Sequence, residues 1–275
     1  MHSNRKSQAS SRGPTTEIFG VNPVIEALRA RRRPLQEITI ASGAKDARLR
    51  ELIELARAQG VPVHQAPRVT LDKRAGNGAH QGVVARVAAA HYTDADDLIE
   101  TIAARVGMNP EPLALILDGI EDPHNLGAIL RTAECATVDG VFVPERRAVG
   151  LTETVAKASA GAVEHVRVAR ATNLSRLIDQ LKERNVWVVG TAADAQLNYT
   201  EWDWTRASAI VMGGEGSGLH RLVREHCDAV VQIPVLGQIE SLNVSVATGV
   251  ILYEALRQRS AGTAKNLKTA FDDQV

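Results

Sequence analysis

The sequence predicts an α/β protein in two parts, a larger C-terminal domain built on a parallel sheet and a small α/β domain before it. Between residues 113 and 235, short continuous apolar runs alternate with helical segments, as expected for parallel strands covered on both faces. From Glu17 onward, helical and strand patterns alternate in a shorter, more basic stretch. A chain of 275 residues has room for two such domains.

The elements of the first part follow from its local patterns. An Asn-Pro start signal opens a helix in GVNPVIEALRA, and the β-branched residues of EITIAS predict a strand. ARLRELIELARAQG repeats apolar residues at helical spacing and stops at Gly60. VPVHQ, RVTLDKRA and GVVARVAA then predict a strand, a short helix and a strand. We therefore predict a three-layer α-β-α-β-α-β domain at residues 17–90.

The segments outside the two domains are polar or weakly patterned. Residues 91–112 hold one weak helix between an acidic cap and a Gly/Asn/Pro cluster, which predicts a linker. Residues 1–16 are basic and lack the apolar core of a signal peptide, so we predict a disordered tail. The alternative from their Arg/Ser content, a transit peptide, is disfavoured because an amphipathic apolar face is absent. Residues 261–275 are predicted to form a flexible tail.

The second part, residues 113–260, carries the strongest fold signal. Its continuous apolar runs predict strands at 113–118, 140–144, 163–169, 186–192, 208–214 and 229–235.

The formal net charge of zero conceals two halves of opposite sign. Residues 1–92 carry 15 Lys and Arg against 7 Asp and Glu, whereas the rest of the chain carries 17 against 25. The basic half is therefore the part expected to contact a polyanion.

The cysteine content and hydropathy exclude two further classes of protein. Cys135 and Cys227 are the only cysteines, so a disulfide framework is excluded and a reducing cytoplasm is expected, with both thiols acting as packing residues. No apolar run is long enough to span a membrane.

Three polar, glycine-rich loops follow predicted strands, where ligands bind in open α/β sheets. In the first loop, DPHNLGAILRTAE, Asn125 is a suitable helix N-cap and Arg131 lies on the following helix. The second, VMGGEGSGL, lacks the Lys-Ser/Thr of a phosphate-binding P-loop and contains Glu215, which favours a cationic or hydroxyl-bearing ligand. In the third, Ser241 and Asn243 either cap a helix or present polar groups on one side, flanking Leu242.

Together these three loops resemble the motifs of the SpoU branch of the SPOUT methyltransferases, in the same order and spacing. The third motif of the match is IPVLGQIESLNVSVATGVILYEA, and the resemblance covers residues 113–259. The segment that begins IFGVNPVIEALRA is similar to the L30-like substrate-binding domain that accompanies this family, and the likeness is nearest to members that methylate a guanosine of 23S rRNA.

The resemblance implies a deep trefoil knot in the C-terminal domain and S-adenosylmethionine as the cofactor, with no metal. On matching positions, the implied cofactor contacts are Gly213, Ile233 and Leu242. The implied catalytic or substrate-side residues are Asn125, Arg131, Glu215, Ser241 and Asn243. The family also implies a homodimer through the knotted domain. The apolar stripe of the last helix, Val246, Val250, Ile251 and Ala255, can then serve as an interface as well as a core.

The implied role of Arg131 needs a physical qualification. The family assigns this arginine to activation of the ribose hydroxyl, but a guanidinium stays protonated in proteins. We therefore expect Arg131 to orient a phosphate or to stabilise the developing alkoxide, and Glu215 to position Arg131 or the substrate. His124, beside Asn125, is expected to be a turn residue.

Two other functions share parts of this pattern. A tRNA 2′-O-methyltransferase of the same superfamily has the same three motifs, and the L30-like domain argues against it. An RNA-binding protein with a degenerate catalytic domain is disfavoured because all five motif residues are intact.

Overall fold

The computed structural model describes residues 15–76, 80–88, 91–216 and 218–272, with side chains as far as Ser260. The chain divides into two compact units, Met1–His91 and Tyr92–Val275. Most of the predicted N-terminal tail lies outside the described residues. Across the part of the chain that is described, no helix is both long enough and apolar enough to cross a membrane.

The first unit contains a four-stranded sheet with strand order β1-β4-β2-β3. Strand β4 is antiparallel to both β1 and β2, and β3 is parallel to β2. In chain order the elements are β1 (Thr15–Phe19), α1 (Val21–Ala30), β2 (Leu35–Ala41), α2 (Leu49–Ala58), β3 (Val63–Ala66), α3 (Arg68–Ala75) and β4 (Val83–Ala88).

Helices cover both faces of this sheet. Phe19, Ala41 and Val84 form a core cluster on one face with Leu71 and Ala75 of α3. Helix α1 contacts β1 and β4, and α2 packs against α1. The three layers agree with the pattern in the sequence, but β1 was not predicted and begins inside the segment assigned to the tail. Its few residues carry a weak signal, and pairing with β4 supplies the hydrogen bonds that make it a strand.

The second unit is built on a seven-stranded, all-parallel sheet with strand order β7-β6-β5-β10-β8-β11-β9. In chain order its elements are α4 (Ala95–Ala103), β5 (Leu113–Asp118), α5 (Pro123–Cys135), β6 (Gly140–Pro144), α6 (Glu153–Ala158), a 3₁₀ turn (Ala162–Glu164), β7 (Val168–Ala171), α7 (Leu174–Lys182), β8 (Trp187–Thr191), β9 (Leu197–Asn198), β10 (Ser208–Gly213), α8 (Arg221–His226), β11 (Ala229–Gln232) and α9 (Val244–Asp272).

The predicted strand at 163–169 lies several residues later in the structure. Ala162 and Val163 are buried in the 3₁₀ turn, and the strand occupies Val168–Ala171. An apolar run of this length is compatible with a buried turn as well as with a strand, so periodicity alone could not separate them. The two-residue strand β9 was not predicted.

The segment at 91–112 is packed into the second unit and differs from the predicted linker. Leu98, Ile99 and Ile102 of α4 are buried in the core cluster with residues of β5, β6 and α7. Asp94 caps the helix by accepting hydrogen bonds from the N–H groups of Asp96 and Asp97. An amphipathic helix of this length forms because its apolar face is covered, which the weak local pattern did not reveal.

The last helix is longer than the sequence predicted. Helix α9 runs to Asp272 and so enters the segment predicted as a flexible tail, whose side chains lie outside the described residues.

Candidate active site

The neighbouring strands β5 and β10 end together at the centre of the parallel sheet. Asp118, the last residue of β5, pairs in register with Gly213, the last residue of β10. The chain from β5 continues to β6 and β7 on one side, while β8 and β11 lie on the other side of β10. Crevices of this kind, beyond the carboxyl ends of the strands where the connections diverge, are the usual ligand sites of open α/β sheets.

Two glycines let the loop after β10 approach its neighbours closely. A Cβ atom built on Gly213 would lie 2.2 Å from the carbonyl carbon of Gly218, and one built on Gly214 would lie 2.3 Å from the carbonyl oxygen of Gly119. The N–H of Gly214 also donates to the carbonyl of Asp118 at 2.8 Å. The backbone packing therefore requires glycine at both positions.

Asn125 does not cap helix α5, contrary to the interpretation of the sequence. The helix begins at Pro123, and the carboxylate of Asp122 accepts a hydrogen bond from the N–H of His124 at 2.9 Å. Asp122 therefore provides the cap, with proline at the first helical position, as is common. The side chain of Asn125, buried in the first turn, is free for another purpose.

A network of three side chains joins the three loops. Asn125 Nδ2 donates to Glu215 Oε1 at 2.5 Å. Asn243 Nδ2 donates to Asn125 Oδ1 at 3.0 Å and to Glu215 Oε1 at 3.1 Å. These residues lie 90 and 118 positions apart from Asn125 along the chain. Each loop is therefore fixed by the other two.

Asn243 has two roles at once. Its Oδ1 accepts hydrogen bonds from the N–H of Ser245 at 2.9 Å and from that of Val246 at 3.4 Å, which caps α9. Its Nδ2 enters the network with Asn125 and Glu215. The sequence left open whether Asn243 caps a helix or presents a polar group. In the structure, its side-chain amide does both.

Arg131 and Ser241 are not part of this network. Both are exposed, and neither side chain makes a hydrogen bond or ion pair within the described part of the chain. Arg131 lies six residues after Asn125, which places it about 9 Å along the axis of α5 and on a different face of the helix. Glu215 therefore contacts Asn125 and Asn243 and leaves the guanidinium of Arg131 unpaired.

The segment after β11 leaves its backbone available to a ligand. Residues 233–242, which include Ile233 and Leu242, form no hydrogen bond with the described residues. Most of their side chains are exposed, including Leu236 at 97%. Backbone N–H and C=O groups normally find partners, so such a segment is suited to hydrogen-bond a bound molecule. An adenosine moiety needs this combination of backbone partners and apolar contacts, and the residues present fit it.

The network borders a cavity of about 380 Å³. The cavity is lined by Gly119, Ile120, Glu121, Asp122, Asn125, Arg147, Glu215, His220 and Val244. His220 Nδ1 lies 2.9 Å from Asp118 Oδ1, and the backbone N–H of His220 donates to Asp118 Oδ2 at 2.8 Å. The sequence interpretation did not include Asp118, His220 or Arg147. A carboxylate at the end of a buried strand is the signal that could have identified Asp118.

Metal ligands and reactive thiols do not contribute to this arrangement. Within the described ranges, no group of three or more His, Cys, Asp or Glu side chains could hold a metal ion. Burial raises the pKa of the Cys227 thiol to about 12. Cys135 is exposed at the end of α5, so its predicted role as a packing residue is wrong.

Comparison with known proteins agrees with the motifs. Residues 112–253 match the SpoU rRNA Methylase family, and residues 18–93 match the domain described as RNA 2′-O ribose methyltransferase substrate binding. The 23S rRNA (guanosine-2′-O-)-methyltransferase RlmB of Escherichia coli (strain K12) is 44% identical over 88% of this chain and 98% of its own length.

Two further relatives cover both parts of the chain. YacO of Bacillus subtilis (strain 168), named as a TrmH family tRNA/rRNA methyltransferase, is 46% identical over 88% of this chain and 96% of its own length. A crystal structure of an RNA 2′-O ribose methyltransferase aligns with a TM-score of 0.73 and 29% identity over 93% of this chain and 92% of that chain.

The parallel sheet, the three linked loops and these matches define an RNA methyltransferase. The chain belongs to the SpoU rRNA methylase family, which confirms the resemblance inferred from the three motifs.

Proposed function

We propose that this protein transfers a methyl group from S-adenosylmethionine to the ribose 2′-hydroxyl of a guanosine in 23S rRNA. The observation that carries the proposal is the Asn125–Glu215–Asn243 network, which links all three family motifs beside a cavity at the carboxyl end of the sheet. The similarity to RlmB over nearly the whole chain favours a guanosine of 23S rRNA as the substrate.

The cofactor site is assigned to the loops that follow β10 and β11. Gly213, Ile233 and Leu242 would hold S-adenosylmethionine, which supplies an electrophilic methyl group when it is bound. Gly213 supports this assignment because its close packing shapes the loop, and Ile233 and Leu242 because their segment has unpaired backbone groups. Aligning the 2′-oxygen with the methyl carbon and accepting its proton are the tasks left to the protein.

The five motif residues divide into two groups in this proposal. Asn125, Glu215 and Asn243 hold the three loops in one arrangement and present polar groups to the ribose. Arg131 and Ser241, exposed and unpaired among the described residues, contact the RNA. A charged guanidinium suits a phosphate or a developing alkoxide, since both are anionic.

We also propose a deep trefoil knot in the second unit. Strand β10 lies between β5 and β8, although both precede it in the chain, and this order is compatible with a chain crossing at this end of the sheet. The close approach of Gly214 to Gly119, and of Gly213 to Gly218 and Leu219, supports a crossing at this end. A knot would give the cofactor segment a fixed shape without further hydrogen bonds.

We further propose that the protein forms a homodimer through the second unit. Leu236, Ile239, Val246 and Tyr253 are large apolar side chains that are between 52% and 97% exposed on the segment after β11 and on α9. Large exposed apolar side chains gathered on one segment indicate an interface. Sedimentation equilibrium tests this expectation, since a monomer at micromolar concentration would contradict it.

Mapping of ribose methylation tests the substrate. In total rRNA and tRNA from a strain that lacks the gene, a single 2′-O-methylguanosine of 23S rRNA should be missing. Expression of the protein, expected in the cytoplasm, should restore this modification. Loss at a tRNA position with rRNA unchanged would favour the tRNA enzyme instead, an activity that the name of the Bacillus subtilis relative also includes. Unchanged methylation of both RNAs would favour an RNA-binding protein without activity.

A further inference from the structure

His220, which lines the cavity, is paired with Asp118, and the family motifs do not explain this pair. Both carboxylate oxygens of Asp118 are engaged by the same residue, one by the backbone N–H of His220 at 2.8 Å and the other by its ring Nδ1 at 2.9 Å. The Asp118 side chain is 5% exposed, whereas that of His220 is 43% exposed. A buried carboxylate therefore fixes an imidazole that faces solvent.

The pairing determines which nitrogen of the ring is available. An ionised carboxylate can only accept hydrogen bonds, so Nδ1 carries the hydrogen and donates it to Asp118. In the neutral ring, the lone pair is then on Nε2, which has no partner among the described residues.

The ring lies beside the cavity that the Asn125–Glu215–Asn243 network borders. His220 lines the same cavity as Asn125 and Glu215, and its Cε1 atom lies 3.7 Å from a Cβ built on Gly119. The other charged groups that line the cavity are Glu121 and Asp122 from the loop after β5, Arg147 from the loop after β6, and Glu215 from the loop after β10. On α8 itself, the neighbouring Arg221 is paired with Glu225.

Two of the family's motif residues are poorly suited to accept the proton. The guanidinium of Arg131 stays charged in a protein and has no lone pair to offer. Glu215 already accepts hydrogen bonds from two amides through Oε1. Imidazole is the side chain whose ordinary pKa, about 6.5, allows it to take up a proton near neutral pH.

We propose that His220, positioned by Asp118, is the general base that accepts the proton of the ribose 2′-hydroxyl. This inference rests on the proposed function. As the bond between the 2′-oxygen and the methyl carbon forms, the bond from that carbon to the donor sulfur breaks and its electron pair stays on sulfur. The hydroxyl proton passes to Nε2 of His220, and the imidazolium releases it to water.

The test measures single-turnover methyl transfer by the full chain. The substrates are in vitro transcribed 23S rRNA and bulk tRNA transcripts, with methyl-labelled S-adenosylmethionine, from pH 5.5 to 9. His220→Ala should lower the rate at pH 7.5 on the order of 10² to 10⁴-fold and remove the decline of the wild-type rate at acid pH. Added imidazole should restore part of the rate of His220→Ala, since it can occupy the vacated space.

A matched control is available on the same helix. His226 Nδ1 lies 2.7 Å from Asp179 Oδ1, which is the same pairing, but His226 does not line the cavity. His226→Ala should therefore retain the rate and the pH profile of the wild type. Binding of S-adenosylmethionine, measured by calorimetry, should be unchanged in both variants, which separates loss of the base from loss of the fold.

A second variant addresses the role of Asp118. Asp118→Asn keeps the shape of the side chain but places an amide N–H opposite one of the two donors of His220. The ring then loses the acceptor that keeps Nε2 free of hydrogen, so the rate should fall while cofactor binding is unchanged. A His220→Ala rate within twofold of the wild type would overturn the assignment, and so would a lowered rate that keeps the wild-type pH profile. A wild-type chain that methylates neither RNA would overturn the proposed function, and the assignment with it.

Discussion

Asn125 and Glu215 lie 90 residues apart in the chain and share a hydrogen bond of 2.5 Å, with Asn243 donating to both. The bond connects the first turn of α5 to the loop after β10. Asn125 is 8% exposed, so loss of its partner would leave a buried polar group without compensation. The contact therefore has a structural role as well as a place in the active site.

Asn125→Asp tests the contact without changing the shape of the side chain. A carboxylate would replace the amide beside Glu215, and repulsion between like charges raises the pKa of such a pair in the folded state. The folded variant then binds a proton that the unfolded chain has already released, so its stability falls as pH rises above about 4. We expect about 1 to 3 kcal/mol more destabilisation at pH 8 than at pH 4.

Thermal unfolding at the two pH values measures this difference. Asn173→Asp is the matched control, because Asn173 caps α7 through its Oδ1 at an exposed position and aspartate is an equally good cap. The control should follow the wild type at both pH values. Equal destabilisation of Asn125→Asp at pH 4 and pH 8 would show that the carboxylates are not in contact.

Arg131→Ala is expected to affect activity and leave stability unchanged. Arg131 is exposed and has no partner among the described residues, so its removal should change the free energy of unfolding by less than about 0.5 kcal/mol. Methyl transfer should fall on the order of 10²-fold or more, because an anion in the transition state loses its cation. Arg131→Lys should recover part of the rate with the pH profile of the wild type.

Single-turnover rates and chemical unfolding of both variants provide the measurement. Arg176→Ala, at an exposed position on α7, is the control and should alter neither quantity. A near-normal rate for Arg131→Lys with a shifted pH profile would mean that Arg131 does more than supply charge.

Much of the second unit could be predicted from the sequence because its strands are buried on both faces. The strand Leu113–Asp118 is apolar up to its last residue, and the structure has the same bounds. Helix α4 was taken for a linker because its apolar face has meaning only against the sheet that covers it. The local sequence pattern therefore predicted elements correctly where both faces are buried. It failed where a distant element provides the burial.

The residues of the active site could also be predicted only where a local motif marks them. Glu215 and Asn243 were identified because each lies in a loop with a recognisable motif. The contact of Glu215 with Asn125, in place of Arg131, depends on how the loops meet in space. The same is true of the pair Asp118 and His220, which lie 102 residues apart. No short-range pattern links two such positions.

Gly213→Ala should prevent cofactor binding. The added Cβ would lie 2.2 Å from the carbonyl carbon of Gly218 and 2.4 Å from the amide nitrogen of Leu219, so the backbone of the loop must move. Calorimetry with S-adenosylmethionine should show at least a tenfold loss of affinity, about 1.4 kcal/mol. Gly150→Ala is the control, since its Cβ would meet side chains at 3.5 Å and beyond, and it should bind the cofactor normally.

The two cysteines should differ in reactivity. Burial raises the pKa of Cys227 to about 12, so its thiol stays protonated up to about pH 11 and only the minor thiolate form can react. Cys135 is exposed. Iodoacetamide at pH 8 should therefore label Cys135 in the native protein and Cys227 only after unfolding. Peptide mass spectrometry measures the labelling, and Cys135→Ser should leave the native chain unlabelled; rapid native labelling of Cys227 would contradict its burial.

Removal of residues 1–91 should separate RNA binding from cofactor binding. This segment carries an excess of 8 basic over acidic residues, and the second unit, which begins at Tyr92, has a core of its own. RNA affinity of the full chain should fall steeply with salt, because phosphate contacts release counterions, and the truncated chain should lose most of that affinity. Calorimetry should find cofactor binding unchanged in the truncated chain, and circular dichroism should verify its fold. Loss of cofactor binding in a folded truncated chain would contradict the division of roles, because the cofactor residues Gly213, Ile233 and Leu242 all lie in the second unit.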